Sequence, residues 1–254
     1  MTMILVSNDD GISGPGLVPL RQALERVAEV TVIVPDRQWT ASGHAKTMHK
    51  PLRIQEITLA DGGRAYSSSG APSDCVALAV LGFLPEPPDL VVSGINLGAN
   101  VGHDITYSGT LAAAFEGTIS GIPSIAASLD TYEDGDFRPA AEFVAGLARE
   151  VLARGLPKSV LLNVNIPNVP RDEIAGVEIT RLGRRLYRDR LIKRQDPRGR
   201  DYYWIGGERP TGDADEEGTD IWALASRCVS VTAIHLDMTD YSFLKELETW
   251  HLEL

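Results

Sequence analysis

The sequence has few of the features that mark disulfide-rich, zinc-binding or membrane-spanning proteins. Its two cysteines, Cys75 and Cys228, lie far apart without CxxC spacing, so neither a disulfide framework nor a thiolate zinc site is indicated. We interpret both as small buried side chains in a reducing cytoplasm rather than as catalytic thiols. The longest aliphatic run, residues 75–84, is far shorter than the roughly 20 residues that cross a bilayer, so no membrane span is predicted.

The sequence also contains few aromatic residues and fewer basic than acidic residues. Aromatic residues make up 6% of the chain against 43% for all hydrophobic residues, which indicates an aliphatic core. The 35 acidic residues outnumber the 24 basic ones, and the formal net charge is −11. Such a surface repels nucleic acids and anionic membranes, so neither is expected as a partner. The start of the chain lacks the basic segment of a secretory signal, and we expect a cytoplasmic protein.

The pattern of apolar residues predicts an α/β fold in one large domain. Residues 3–7 are aliphatic without polar alternation, which is typical of a strand buried in a parallel sheet. A helical spacing over 17–27 and a second apolar strand at 30–34 complete a βαβ unit. The alternation continues with helix 73–84, strand 90–95, a helix from 109, strand 124–129, helix 140–153 and strand 160–166. We therefore predict a Rossmann-like, doubly wound and mostly parallel sheet.

The character of the chain changes after residue 170. Residues 181–200 hold eight arginines and one lysine, whereas residues 213–220 are strongly acidic. We favour a solvated basic hairpin that pairs with the acidic loop or with another subunit, and a phosphate or nucleic-acid patch is the alternative. A strand at 229–236 and a helix at 241–251 follow. The predicted domain thus has a core over about 1–170 and a carboxyl-terminal extension over about 171–254.

Two adjacent carboxylates, Asp9 and Asp10, follow the first strand within Asn8-Asp9-Asp10-Gly11. Ligand sites in open α/β sheets form at the carboxyl ends of the strands. Like charges so close favour a cation between them, and oxygen ligands suit Mg²⁺ or Mn²⁺. An ordinary Asp-Gly turn with solvated carboxylates is the alternative.

Two further strand ends carry polar side chains. Strand 30–34 is followed by a loop with Thr40, Ser42, Gly43 and His44, and strand 90–95 ends in Asn96. The ends of these three strands together would supply oxygen ligands to a single cation at one edge of the sheet. Taken singly, Thr40 and Asn96 are also explained as turn-stabilising residues.

A phosphate site is predicted at Ser108, Gly109 and Thr110, where a helix begins and its free N–H groups bind anions. A plain helix cap is the alternative. His44 and His103 lie in polar loops and are candidates for an acid, a base or a phosphate contact, with a surface-loop role as the alternative. The chain has neither a GxGxxG nor a Walker A motif.

Several motifs in order along the chain resemble the SurE family of stationary-phase survival proteins, which are metal-dependent nucleotide phosphatases. The likeness is carried by residues 7–11, 35–44, 70–75, 93–100 and 107–110, with weaker likeness at 163–167 and 230–232. The resemblance implies a Rossmann-like core and one divalent ion per subunit. It also implies hydrolysis of nucleoside 5′- and 3′-monophosphates, in some members cleavage of short polyphosphate, and dimers or tetramers joined by carboxyl-terminal arms.

The resemblance implies that Asp9 and Asp10 are carboxylate ligands and Asn96 the amide ligand, and these three are the predicted catalytic residues. Thr40 stands where the family has a serine and keeps the hydroxyl group that would be the ligand. Ser42 is the alternative source of that hydroxyl ligand. The remaining candidates are Asn8, Gly43, His44, Asn100 and His103.

Our mechanistic hypothesis is that the metal activates a water molecule for in-line attack on phosphorus. No cysteine or serine is marked as a nucleophile by a paired base. The rival interpretations are a non-catalytic metal- or nucleotide-binding module and a phosphoacceptor signalling domain. The latter fits less well, because Asn96 stands at the end of a later strand where such domains need an aspartate.

Overall fold

The structure is a computed structural model that describes residues 2–207, 211–212 and 214–252. Its centre is a nine-stranded sheet with the strand order β3-β4-β2-β1-β5-β6-β7-β13-β8. The strands are β1 (Met3–Ser7), β2 (Glu29–Pro35), β3 (Ile54–Thr58), β4 (Arg64–Ser68), β5 (Leu90–Leu97), β6 (Ser124–Asp130), β7 (Val160–Pro167), β8 (Gly176–Thr180), β9 (Arg185–Leu186), β10 (Asp189–Gln195), β11 (Asp201–Gly207), β12 (Thr211–Gly212) and β13 (Cys228–His235).

The sheet is mostly parallel, as predicted. β1 lies between β2 and β5 and pairs in parallel with both, so the ends of the three strands that carry polar residues are adjacent. Antiparallel pairing occurs where β3 joins β4 and where β13 joins β7. The short strands β3 and β4 were not predicted, because their sequences mix polar and apolar residues instead of forming a continuous aliphatic run. Most of β3 is exposed to solvent, whereas β4 is mostly buried.

Helices cover both faces of the sheet, which confirms the doubly wound fold. They are α1 (Leu17–Leu24), α2 (Pro72–Leu78), α3 (Gly109–Ile119), α4 (Phe137–Arg154), α5 (Asp220–Ala225) and α6 (Tyr241–Leu247). α1 and α4 pack on the face that contains Ile4 and Val6, and α2 and α3 pack on the face that contains Leu5. Each fully buried Leu or Ile contributes roughly 1.5–3 kcal/mol to folding. None of the described helices is long and apolar enough to span a membrane.

Three predicted helices are shorter in the structure. α1 ends at Leu24 rather than near residue 27. α2 ends at Leu78, and a wider helical turn over Ala79–Phe83 brings Phe83 edge-on against Tyr66, with ring centroids 5.0 Å apart. α6 ends at Leu247 rather than near residue 251. Cys75 and Cys228 are free and buried, as predicted.

The carboxyl-terminal segment contributes to the sheet as well as projecting from it. β13 lies between β7 and β8, and its Val229 and Val231 belong to the main hydrophobic core. The core therefore continues past residue 170, because β13 pairs with β7 and extends the central sheet. The basic segment forms the predicted hairpin of β10 and β11, which is exposed along its length. Arg181 forms an ion pair with Glu216 of the acidic loop; Asp213, within the predicted acidic segment, lies outside the described residues.

Candidate functional site

The first turn after β1 is held by Asn8. Its side-chain oxygen accepts a hydrogen bond from the Gly11 N–H (3.0 Å), and its Nδ2 donates to the Gly11 carbonyl oxygen (2.9 Å). Trp39 N donates to the Asp9 carbonyl oxygen at 2.8 Å, which ties the turn to the loop after β2. Asn8 thus supports the backbone under the acidic pair rather than reaching a ligand itself.

Asp9 is a buried carboxylate, with 4% of its surface exposed. Its Oδ1 accepts a hydrogen bond from the Thr110 hydroxyl at 2.6 Å. Burial, with a smaller contribution from the charge of Asp10, raises the pKa of Asp9 to about 6. Burial also raises the pKa of Asp10. The site therefore resists two negative charges unless a cation balances them.

The Asp10 carboxylate has an oxygen that the protein leaves unsatisfied. Oδ2 of Asp10 is buried and has no hydrogen-bond partner among the described residues. A buried carboxylate oxygen without a donor is costly, and such atoms call for an explanation such as a bound ion.

Asn96 and Thr40 reach the same cavity from the neighbouring strand ends. The pairing of β5 with β6 shifts between Ser93 and Asn96, and this bulge lies just before the Asn96 side chain. Asn96 Nδ2 donates to the Gly98 carbonyl oxygen at 2.8 Å, which leaves its Oδ1 as the side-chain acceptor. Ser42 lies off the cavity, and its hydroxyl donates to the Gly43 carbonyl oxygen at 3.4 Å.

α3 begins at this cavity. Ser108 lines it and caps the helix, its Oγ accepting from the Leu111 N–H at 3.2 Å. Gly109 and Thr110 are buried behind Ser108. A Cβ on residue 109 would lie 2.7 Å from Cβ of Asp9, so only glycine lets the helix approach the carboxylate this closely. The Thr110 hydroxyl is engaged with Asp9, which leaves backbone N–H groups for a phosphate.

Asn100 lines the cavity too, but its polar groups hold the loop after β5. Its Nδ2 donates to Ser128 Oγ at 2.8 Å, and its N–H donates to Asn165 Oδ1 at 2.8 Å. Asn163 and Asn165 donate to its carbonyl oxygen at 2.8 and 2.9 Å. These bonds within the sheet explain why asparagines occur inside β7.

The structure does not bring His44 and His103 to the acidic pair. Both line a second cavity of about 670 Å³ on the other side of the loop. His44 Nε2 lies 3.1 Å from Glu116 Oε2, and the backbone N–H of Gly43 donates to the Tyr107 carbonyl oxygen. His44 thus fastens the Thr40 loop to α3, and Gly43 fastens it to the segment just before α3; neither residue lines the first cavity.

The cavity has a volume of about 970 Å³ and two unlike walls. We call Asp9, Asp10, Thr40, Asn96 and Ser108 the sheet-edge wall. We call a second group of lining residues the tyrosine wall; it consists of Tyr107, Tyr132, Arg185 and Tyr187. The sequence motifs predict the first wall. Of the second wall only Tyr107 lies within a motif, at residues 107–110, whereas Tyr132, Arg185 and Tyr187 come from separate segments that no motif marks.

The donor set of the sheet-edge wall suits a hard divalent cation. Within the part of the chain that the structure describes, no group of three or more His, Cys, Asp or Glu side chains is placed to hold a metal. An ion at this wall would use two carboxylates together with neutral hydroxyl and amide oxygens, a set typical of Mg²⁺ or Mn²⁺.

Comparison with known proteins places this site in a family. The family model described as "Survival protein SurE" matches residues 4–189. Proteins named "5'-nucleotidase SurE" from Herpetosiphon aurantiacus and Chloroflexus aggregans are each 51% identical to the chain, covering 97% and 98% of it and 97% and 99% of their own lengths. The crystal structure of the SurE protein from Aquifex aeolicus is 43% identical and superposes with a TM-score of 0.84, covering 97% of this chain and 98% of that one. The chain therefore belongs to the SurE family.

Proposed function

We propose that the chain is a divalent-metal-dependent phosphomonoesterase that hydrolyses nucleoside 5′- and 3′-monophosphates. The observation that carries the proposal is the buried, unsatisfied Oδ2 of Asp10 beside the buried carboxylate of Asp9, at a cavity that also contains the start of a helix. Carboxylate oxygens are preferred ligands of a hard cation, and the N–H groups at the start of a helix bind phosphate. The names of the similar proteins, each a 5′-nucleotidase, support the same activity.

Asp9, Asp10, Thr40 and Asn96 would hold one Mg²⁺ or Mn²⁺ ion per subunit. When bound, such an ion polarises a phosphoryl oxygen and activates a water molecule for attack on phosphorus. Asp9, Asp10 and Asn96 are the catalytic residues of this proposal. The Thr110 hydroxyl keeps Asp9 oriented through its 2.6 Å hydrogen bond.

The phosphoryl group would be bound by the first turn of α3. Backbone N–H groups at Gly109 and Thr110 have no partner within the helix at this position, because the first turn of any helix leaves its donors free. They bind phosphoryl oxygens and stabilise the charge that develops on them during the reaction. Ser108 fixes the turn by capping it.

The wider proposal covers cleavage of short polyphosphate, a cytoplasmic location and assembly into dimers or tetramers through the carboxyl-terminal extension. The hairpin of β10 and β11 supports assembly, because it exposes Leu191, Tyr203, Trp204 and Ile205 to solvent. An exposed apolar cluster of this kind is typical of a surface that another subunit covers.

The test is phosphate release from a panel of nucleoside 5′- and 3′-monophosphates, with and without Mg²⁺ or Mn²⁺, for the native protein and Asp9→Asn. We expect metal-dependent release that the substitution abolishes, and a metal-dependent rise in Tm that it also abolishes. Asp172→Asn, which removes one exposed carboxylate, is the control. A folded native protein that releases no phosphate with either metal would overturn the proposal in favour of a binding module.

A further inference from the structure

The cavity is larger than a metal ion and a phosphate group require. Its volume is roughly 970 Å³, and the tyrosine wall, together with Asp189 and Ile205 of the hairpin, lines it in addition to the sheet-edge wall. Tyr107, Tyr132 and Tyr187 are 61%, 53% and 43% exposed, so part of each side chain faces solvent, and the ring of Tyr187 also lies beside that of His103, with ring centroids 6.1 Å apart. Part of a substrate other than its phosphate therefore has a place to lie.

Tyr132 adjoins the loop that follows Asn96 and the end of β5. It follows the end of β6, and its ring carbon Cε1 lies 3.6 Å from where a Cβ on residue 98 would stand. Tyr107 directly precedes Ser108 at the start of α3. Both tyrosines thus adjoin segments that contribute to the sheet-edge wall.

An ion pair supports two of the tyrosines. Arg185, whose side chain is 12% exposed, places Nε 3.0 Å from Asp104 Oδ2 and donates from Nη2 to the Tyr132 hydroxyl at 2.7 Å. Burial and a hydrogen bond to Asp104 raise the pKa of Tyr187. The rings are therefore tied by their hydroxyl ends, and the charge of Arg185 is balanced by Asp104.

Asp220 connects the two segments that carry this ion pair. Its Oδ2 accepts from the Gly102 N–H at 2.8 Å, and its Oδ1 accepts from the Gly183 N–H at 2.7 Å. The side chain is fully buried. One carboxylate thus holds the loop of Asp104 against the segment of Arg185.

We infer that the tyrosine wall binds the nucleobase of the substrate, an inference that rests on the proposed nucleotidase function. Flat aromatic rings stack on any base, and the balanced charge of the Arg185–Asp104 pair offers no site for a second phosphate. Tyr132 and Tyr187 contact the base, whereas Arg185, Asp104 and Asp220 are positioning residues. The ligand class is a neutral, planar heterocycle joined to a phosphorylated sugar.

The experiment compares a nucleoside 5′-monophosphate with ribose 5-phosphate, which carries the same ester without a base. We expect Tyr132→Leu and Tyr187→Leu to lower the kcat/KM ratio between the two substrates by roughly 5- to 100-fold, mainly through a higher KM for the nucleotide. Tyr132→Phe keeps the ring and should retain most of the preference. Tyr241→Leu at the start of α6, an exposed tyrosine outside both the cavity and the hairpin of β10 and β11, is the matched control and should leave the ratio as it is in the native protein.

Calorimetric binding of the free nucleoside gives a second readout that does not depend on hydrolysis. We expect Tyr132→Leu to weaken it by the same factor as the change in selectivity. Equal loss on both substrates, or unchanged nucleoside binding in both leucine variants, would overturn the inference. Absence of hydrolysis of either substrate by the native protein would instead refute the nucleotidase proposal, and nucleoside binding would still decide the role of the tyrosines.

Discussion

The two walls of the cavity are built in different ways. The sheet-edge wall takes its residues from positions directly after three adjacent parallel strands and from the start of α3. The tyrosine wall takes its residues from loops and from β9, which lies outside the main sheet. The first wall is a consequence of sheet topology, whereas the second depends on how the carboxyl-terminal segment docks. Chemistry common to many substrates is expected on the first wall, and recognition of one substrate class on the second.

The largest effect should come from the sheet-edge wall itself. Asp10→Asn removes one of two adjacent charges, and we expect kcat/KM to fall by at least roughly 100-fold at saturating Mg²⁺ or Mn²⁺. The Tm of the metal-free protein should be unchanged or higher, because the like-charge contact with Asp9 disappears. Near-native turnover of the variant, measured beside the Asp172→Asn control, would remove Asp10 from the ligand set.

A substitution next to the carboxylate tests how tightly this wall is packed. Gly109→Ala places a Cβ 2.7 Å from that of Asp9, so the carboxylate must move. We expect activity to fall by roughly 10- to 100-fold, because small misplacements of catalytic groups carry such costs. Gly146→Ala in α4 is the matched control, since a Cβ there meets open space, and it should stabilise the protein by up to about 1 kcal/mol. Equal activity of the two variants would show that Asp9 tolerates displacement.

A smaller effect on substrate preference is expected when the buried carboxylate that supports the tyrosine wall, Asp220, is replaced. Asp220→Asn leaves one oxygen where two accepted from Gly102 and Gly183, and we expect a loss of about 1–3 kcal/mol in unfolding free energy. Preference for the nucleotide over ribose 5-phosphate should fall by less than in Tyr132→Leu, because the rings remain present. Urea unfolding and the two-substrate assay measure these effects. A uniform fall in kcat on both substrates would mean that Asp220 supports the sheet-edge wall as well.

The smallest effect is expected at the surface of the same segment. Arg181 pairs with Glu216, and both side chains are about half exposed or more. Arg181→Ala should change the unfolding free energy by no more than about 1 kcal/mol and leave the substrate preference intact. A change as large as that of Asp220→Asn would show that the exposed ion pair, and not the buried carboxylate, holds the tyrosine wall in place.

Much of the core could be predicted from the sequence because its strands are continuous aliphatic runs. β1 and β7 match their predicted positions to within one residue, since both are buried on each face of the sheet. β3 escaped prediction because it is the edge strand and leaves polar residues in solvent, and β4 because its short sequence, RAYSS, has no continuous aliphatic run. β13 was predicted as a strand, but its place beside β7 follows from pairing that no local pattern records.

His44 shows that the contacts of a side chain near the site also could not be predicted from local sequence. His44 lies only four residues from Thr40, yet it contacts Glu116 and faces the second cavity. The path of a loop between two residues depends on tertiary anchors, here the hydrogen bond from Gly43 to Tyr107. Sequence proximity therefore does not assign a side chain to a cavity.

By itself, the sequence determined the doubly wound core and the presence of Asp9, Asp10, Thr40 and Asn96 at adjoining strand ends. Local apolar patterning and the parallel βαβ connection are sufficient for that, since they bring carboxyl ends to one edge. Only the tertiary structure decided that Tyr132 and Tyr187 line the same cavity. The docking of the 181–187 segment depends on the buried Asp220 and on contacts between residues more than 50 positions apart, such as Arg185 with Tyr132.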